Sequence, residues 1–176
     1  MLANSFKILM YSLLQNISHS RWYWLALLAF GLSFIAVALY YQYVLDELPC
    51  VLCIHARIWI SAISLVALVA LLLGHKWFNI VAHILLVICT VGLLERSYQL
   101  LGTERGFIFG DCGFDLGLPA WLALDKWLPA VFGVETSCGY TPELLFGITM
   151  AEGLIILSSA LLLISLVLTV AALVRQ

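Results

Sequence analysis

The chain of 176 residues is 64% hydrophobic and only 10% charged. So large an apolar share cannot be buried in one soluble core, which excludes a soluble globular protein and predicts an integral membrane protein. The formal net charge of −2 and the lack of a basic cluster argue against a protein that binds nucleic acid.

The first segment with a clear pattern is residues 6–17, in which apolar residues recur every three or four positions with polar residues between them. This pattern predicts an amphipathic helix along the membrane interface, and no cleavage pattern of a signal peptide follows it. Four apolar runs come next, at about 22–43, 54–73, 77–95 and 153–174, each near the ~20 residues that cross a bilayer as a helix. The predicted fold is therefore all-α: an integral membrane four-helix bundle in a single membrane domain, residues 1–176.

Two loops, at about 44–53 and 96–152, lie on one side of this bundle, and both termini lie on the other. Lysine and arginine are split evenly between the two sides, so the positive-inside rule gives weak support to either orientation. The loops carry the cysteines in two pairs, and paired cysteines favour an oxidising compartment. We therefore predict exoplasmic cysteine loops and cytoplasmic termini.

The longer loop contains an apolar segment between Pro119 and Pro129. Its larger apolar residues follow helical spacing: Trp121, Leu124, Trp127 and Leu128. They are too dense for a solvated loop, so we predict a short surface helix in this second exoplasmic loop, lying on the membrane between the two loop cysteines.

The first cysteine pair, Cys50 and Cys53, stands at the start of the second apolar run. Pro49 disfavours helix just before Cys50, so the helix should begin within the pair and place Cys53 in its first turn. Free backbone N–H groups and the helix dipole favour a thiolate there, and Arg57, four residues on, adds a positive charge on the same face. The pair is a candidate redox centre; the alternative is a structural disulfide, with Arg57 extending to the membrane interface.

The second pair, Cys112 and Cys138, lies farther apart in the long loop. A disulfide between them would close about 27 residues and stabilise the fold by roughly 3.5 kcal/mol, as a structural staple. The glycines beside the pair suggest instead a mobile loop and an exchangeable bond, and the spacing leaves both interpretations open.

Four cysteines could also bind zinc, but a structural zinc site would need two close pairs, and only one pair is close. Cys89, alone within the third run, is interpreted as inert packing.

Together these motifs resemble the disulfide bond formation protein B (DsbB) family. The resemblance is carried by Cys50-Val-Leu-Cys53 with Arg57, Arg96-Ser-Tyr-Gln99-Leu closing the third run, Cys112, the Trp-Leu-Ala-Leu-Asp-Lys-Trp-Leu-Pro stretch within Pro119 to Phe132, Cys138, and Leu145-Phe-Gly-Ile-Thr-Met-Ala-Glu152 before the fourth run. It extends from about Trp22 to Val174. The chain departs from some members in having no histidine between Ser97 and Met150, where Gln99 and Glu104 stand instead.

The resemblance implies an enzyme of the bacterial inner membrane, a protein dithiol:quinone oxidoreductase. It would reoxidise a periplasmic thioredoxin-fold thiol oxidase (DsbA-like) and pass the electrons to a membrane quinone, ubiquinone or menaquinone. In this scheme the partner's thiolate attacks Cys112, Cys138 completes the loop disulfide, and Cys50 carries the exchange to that disulfide.

On the quinone side, the resemblance implies that Cys53 faces the quinone with Arg57 beside it and Arg96 near the quinone head. It implies no metal site.

One alternative function is that of a quinone reductase like vitamin K reductase, which also has a CxxC at a helix mouth. The long loop with its second cysteine pair matches that class less well. The other is a non-enzymatic scaffold or metal transporter with structural disulfides. The scarcity of acids and histidines within the apolar runs argues against ion transport.

Overall fold

A computed structural model describes residues 13–74, 76–108, 113, 115–145 and 147–174 of the chain. Four long helices dominate it: α1 Arg21–Val44, α2 Val51–Leu73, α3 Lys76–Glu104 and α6 Met150–Val174. Each is long and apolar enough to cross a membrane, which confirms the prediction of an all-α, multi-pass membrane bundle. Residues 13–18 are also helical, and the remainder of the predicted amphipathic segment lies outside the described residues.

The ends of α2 follow from the local sequence. Cys50 is its N-cap, with an extended backbone, as expected for a residue that follows Pro49. At the other end, Gly74 takes a left-handed conformation (φ 56°), and its N–H donates to the Ala70 carbonyl oxygen at 3.2 Å. Glycine adopts this conformation without steric cost, which stops the helix and satisfies one of its last carbonyl groups.

The third helix runs on to Glu104, past the predicted end of its span at residue 95. The extension remains helical because its inward face is apolar or satisfied within the helix. Leu100 is buried, and the Ser97 hydroxyl donates to the Leu93 carbonyl oxygen at 2.7 Å. The second cysteine loop therefore begins beyond Glu104.

The predicted surface helix of this loop is divided into three short elements. They are a 3-10 turn at Ala120–Leu122, α4 at Leu124–Trp127 and α5 at Pro129–Phe132. The divisions fall at Ala123 and Leu128, which have non-helical ψ angles of 68° and 63°. Proline at 129 explains the second break, because it disfavours helical ψ in the residue before it.

A small hairpin, β1 Glu143–Leu145 with β2 Ile148–Thr149, leads into α6. Thr149 and Glu152 form a capping box at the start of α6: the Thr149 N–H donates to the Glu152 carboxylate at 3.2 Å, and the Glu152 N–H donates to the Thr149 hydroxyl at 3.3 Å. Arg105 also forms an ion pair with Glu152. These contacts fix the end of the long loop to the last helix.

The long helices pack in chain order, α1 on α2, α2 on α3 and α3 on α6. Small residues allow the close contacts. A Cβ atom at Gly31 of α1 would overlap the Ser64 hydroxyl of α2, and one at Gly92 of α3 would overlap the Trp59 ring of α2. Close approach at small residues is the usual way that helices associate in a bilayer.

Candidate redox site

The first cysteine pair forms a compact dithiol at the start of α2. The Cys50 and Cys53 sulfur atoms lie 2.9 Å apart, and the Cys53 backbone N–H donates to the Cys50 sulfur at 3.4 Å. Cys50 is 1% exposed, whereas Cys53 is partly exposed. The two sulfurs are therefore within reach of one another, and they have different surroundings.

The long loop brings Cys138 to this pair. The backbone N–H groups of Glu135 and Thr136 donate to the Pro49 carbonyl oxygen at 3.0 and 3.3 Å, and Thr136 pairs with Cys50 in a parallel β-bridge. Cys138, two residues further on, hydrogen-bonds to Cys50. Cys112 lies outside the described residues, so three of the four predicted site cysteines are seen together.

Cys50 is the more weakly acidic thiol of the site. The hydrogen bond with Cys138 lowers its pKa, but the hydrogen bond with Cys53, burial and the charge on Cys53 outweigh it and raise the pKa of Cys50 to about 12. When the Cys50–Cys53 dithiol loses one proton, the charge therefore rests on Cys53. Its place in the first helical turn, where backbone N–H groups are free, suits a thiolate.

Cys53 lines a cavity of about 50 Å³ between the long helices, which is partly open to the outside. Its apolar lining includes Phe34 and Ala38 of α1, Leu100 of α3, and Met150 and Leu154 of α6. Cys50 does not line it. Because Cys53 and Arg57 are one turn apart on the same face of α2, both side chains reach this cavity.

The Arg57 guanidinium is 5% exposed and is held inside the protein. Its Nη1 donates to the Gln42 side-chain oxygen at 2.7 Å and to the Val131 carbonyl oxygen at 2.9 Å. Its Nη2 donates to the Ala38 carbonyl oxygen at 3.2 Å. The alternative of an arginine that extends to the surface as an anchor does not match this geometry.

Arg96 and His55 line a second cavity on another face of α2. Arg96 donates to the Gln99 side-chain oxygen at 3.1 Å and forms an ion pair with Glu95 at 3.2 Å. The resemblance implied that Arg96 lies near the quinone head. Leu100 of α3 lines the Cys53 cavity, whereas Arg96 and Gln99 line the second cavity.

The sequence analysis missed Gln42. It is 4% exposed, accepts from Arg57 and donates to the Glu135 carboxylate at 3.2 Å. A signal was present, because Gln42 is an amide near the end of an otherwise apolar run, and polar side chains in such runs tend to be functional. Its partners could not be inferred, since Glu135 is distant in sequence.

Glu104 supports the segment that closes the Cys53 cavity. One oxygen of its carboxylate accepts from the Thr141 hydroxyl at 2.6 Å and from the Thr149 hydroxyl at 3.2 Å. The neighbouring Tyr140, Pro142 and Met150 line the cavity. Glu104 therefore ties the end of α3 to the segment that closes the cavity.

Comparison with known proteins gives a consistent result. The family model "Disulfide bond formation protein DsbB" matches residues 20–168. The chain is 31% identical to disulfide bond formation protein B of Shewanella frigidimarina over 80% of this chain and 85% of that protein. It is 31% identical to the protein of that name from Psychromonas ingrahamii, over 96% and 92%, and 27% identical to one from Haemophilus influenzae, over 94% and 95%. On the strength of this match, which covers all four long helices and the cysteine loops between them, the chain belongs to the DsbB family of membrane proteins of disulfide bond formation.

Proposed function

We propose that the protein is a dithiol:quinone oxidoreductase, which reoxidises a periplasmic thioredoxin-fold thiol oxidase (DsbA-like) and passes two electrons to a membrane quinone. The observation that carries this proposal is the order of the three visible sulfurs. Cys138 contacts Cys50, Cys50 contacts Cys53, and Cys53 lines the cavity. Such a chain can move a disulfide from the inside of the bundle to the loop.

The lining of the Cys53 cavity suits a quinone. It is mainly apolar and lies between membrane helices, as a ring with a lipid tail requires. Arg57 supplies a fixed positive charge beside Cys53. The quinone itself would supply the chemistry that thiols lack, acceptance of two electrons and two protons.

The loop side of the reaction is thiol exchange. The partner's thiolate attacks Cys112 of the Cys112–Cys138 disulfide, and Cys138 leaves as a thiolate. The partner's second cysteine then attacks the mixed disulfide, so the partner leaves oxidised and Cys112 is released. The role of Cys112 rests on the family resemblance, which assigns the partner-facing position to this residue.

The membrane side passes the same two electrons inward. The Cys138 thiolate attacks the Cys50 sulfur of an oxidised Cys50–Cys53 pair, and Cys53 leaves as a thiolate near Arg57. Attack of Cys112 on Cys138 restores the loop disulfide and releases Cys50. Cys50 and Cys53 then return to the disulfide as two electrons and two protons pass to the quinone. Because the pKa of Cys50 is raised in the dithiol, Cys53 is the better leaving group of the pair when Cys138 attacks Cys50.

The direction of flow agrees with redox potentials. A DsbA-like dithiol has a potential of about −120 mV, so its oxidant must be stronger, and every ~30 mV contributes about 1.4 kcal/mol for two electrons. Ordinary protein thiols rarely reach such a potential. A membrane quinone does. The proposal accordingly includes a location in the bacterial inner membrane, with the cysteine loops in the periplasm and the termini in the cytoplasm.

The test is quinone reduction by the purified protein in lipid nanodiscs. A soluble quinone should be reduced only when a reduced DsbA-like oxidase is added, with one quinol formed per partner disulfide. Cys53→Ser should abolish turnover, while Cys89→Ser, a thiol buried elsewhere in α3, should leave it unchanged. Quinone reduction without the partner, or partner oxidation without quinone consumption, contradicts the proposal.

A further inference from the structure

Gln42 stands between a buried cation and an anion of the long loop. Its side-chain oxygen accepts from Arg57 at 2.7 Å, and its side-chain nitrogen donates to the Glu135 carboxylate at 3.2 Å. Both ends of the amide are therefore assigned, because only the oxygen can accept and only the NH₂ can donate. Glutamine at this position links two opposite charges without bringing them into contact.

The link connects Arg57 to the segment that carries Cys138. Glu135 is three residues before Cys138, and its own N–H is bound to the Pro49 carbonyl oxygen. The same segment also reaches Arg57 directly, through the Val131 carbonyl oxygen. Only the bond to Ala38 comes from α1 backbone, so the loop helps to determine how the guanidinium is oriented.

The spacing of the charges has a chemical consequence. A carboxylate in direct contact with Arg57 would form a tight ion pair and compete with the Cys53 thiolate for the positive charge. With Gln42 between them, the guanidinium has a hydrogen-bond acceptor and keeps its charge available toward the cavity. Glu135 is exposed and lies farther off, where solvent weakens its field.

We propose that Gln42 and Glu135 are positioning residues, which orient the Arg57 guanidinium toward Cys53 and do so from the loop that delivers Cys138. This inference deepens the proposed function and rests on it for the quinone step. It also makes a prediction about Cys53 alone, which holds whether or not a quinone is the acceptor.

The experiment compares four single-residue variants with the wild type, all as the full-length protein. Gln42→Leu removes both hydrogen bonds, and Glu135→Leu removes the acceptor for the amide. Glu135→Gln removes the charge but keeps an oxygen acceptor. Glu143→Gln, at an exposed site in β1, is the matched control for loss of a loop carboxylate.

The first readout is quinone reduction at saturating partner. Gln42→Leu should lower kcat/KM for the quinone about tenfold, the usual effect of losing a hydrogen bond to a charged group. Glu135→Leu should lower it a few-fold, Glu135→Gln less, and Glu143→Gln not at all. Adding Glu135→Leu to Gln42→Leu should lower kcat/KM for the quinone by no more than about twofold further, because the two residues act on Arg57 through the same chain of hydrogen bonds. Single-turnover oxidation of the partner should be unchanged in every variant.

The second readout needs no quinone. In a Cys50→Ser background, the rate at which Cys53 is alkylated is followed against pH. Gln42→Leu should move the midpoint upward by about half a pH unit or more, because the thiolate loses part of its stabilisation, whereas Glu143→Gln should not move it.

An unmoved midpoint in folded Gln42→Leu overturns the inference, as does equal loss of partner oxidation and quinone reduction. If Gln42→Leu does not fold, Glu135→Leu decides the question by the same two readouts. If the wild-type protein reduces no quinone, the proposed function fails, and the Cys53 profile still decides the role of Gln42.

Discussion

Arg57 follows Cys53 by one turn of α2, and the two side chains line the same cavity. His55, between them in sequence, points to the second cavity, where its Nε2 lies 2.9 Å from the Leu116 carbonyl oxygen. The positive charge beside Cys53 thus comes from its own helix face. Arg96, the other arginine of the predicted quinone site, lines the second cavity.

Arg57→Ala should lower quinone turnover about tenfold to a hundredfold, because it removes a charge-assisted contact worth roughly 1.5 to 3 kcal/mol. Arg96→Ala should leave turnover within about twofold of wild type, since it lies away from Cys53. Steady-state quinone reduction and single-turnover partner oxidation are measured in the same preparations. Equal loss of both activities in Arg57→Ala, or a larger loss in Arg96→Ala, would remove Arg57 from the quinone step.

Cys138→Ala should accumulate a mixed disulfide with the partner through Cys112. The variant lacks the thiol that resolves Cys112, so the first exchange can start from a glutathione or partner disulfide and then stall. Non-reducing gels and peptide mass spectrometry identify the linked cysteine. Cys89→Ser is the control and should trap nothing. Partner found on Cys50 instead would reverse the proposed order of exchange.

The parts of the site that were predictable from sequence are those set by local rules. Pro49 before Cys50 predicted where α2 begins, and the four-residue spacing predicted that Arg57 shares a face with Cys53. The approach of Cys138 to Cys50 was not predictable, because it depends on backbone hydrogen bonds from residues 135 and 136 to Pro49, which leave no pattern in the side chains.

Helix packing explains another difference. Arg57 and Arg96 line different cavities because of the way α2 and α3 pack together, which the spacing of residues along one helix does not predict. The short surface helix predicted within the long loop breaks at Leu128, whose neighbour is Pro129. The four apolar spans were predictable because length and hydropathy alone determine what can cross a bilayer.

The proposed orientation predicts the side from which the cysteines can be labelled. In spheroplasts with a reduced protein, a membrane-impermeant thiol reagent should modify Cys138 from the periplasmic side. A single cysteine introduced at Asn16, an exposed residue of the first segment, in a background without native cysteines, should be protected until the membrane is opened. Labelling of Cys138 only in inside-out vesicles would invert the topology.

Gly31→Ala should destabilise the packing of α1 on α2. The added methyl group would overlap the Ser64 hydroxyl, which is held by a hydrogen bond to the Ile60 carbonyl oxygen at 2.9 Å. Overpacking of this kind costs roughly 1–3 kcal/mol. Ser64→Ala removes the clashing oxygen, so the double variant should recover most of the loss in thermal unfolding in detergent. If the two substitutions destabilise additively, the contact between α1 and α2 is not the cause.

The acidity of Cys50 gives a prediction in which two variants move in opposite directions. The pKa of Cys50 is about 12 in the reduced protein, above the ordinary value for a thiol. The contribution of this protonated thiol to the free energy of unfolding is therefore complete below about pH 9 and is lost as the pH rises toward 12. Initial rates of alkylation at Cys50, resolved by mass spectrometry, should therefore keep rising about tenfold per pH unit through pH 10 with no plateau.

Cys53→Ala removes the neighbouring thiolate and its hydrogen bond, and should give faster alkylation with a plateau near pH 9. Cys138→Ala removes the side-chain hydrogen bond that lowers the pKa of Cys50, and should slow the reaction. A plateau below pH 9 in the wild-type protein, or the same direction of change in both variants, would contradict the raised pKa of Cys50 and its assigned causes.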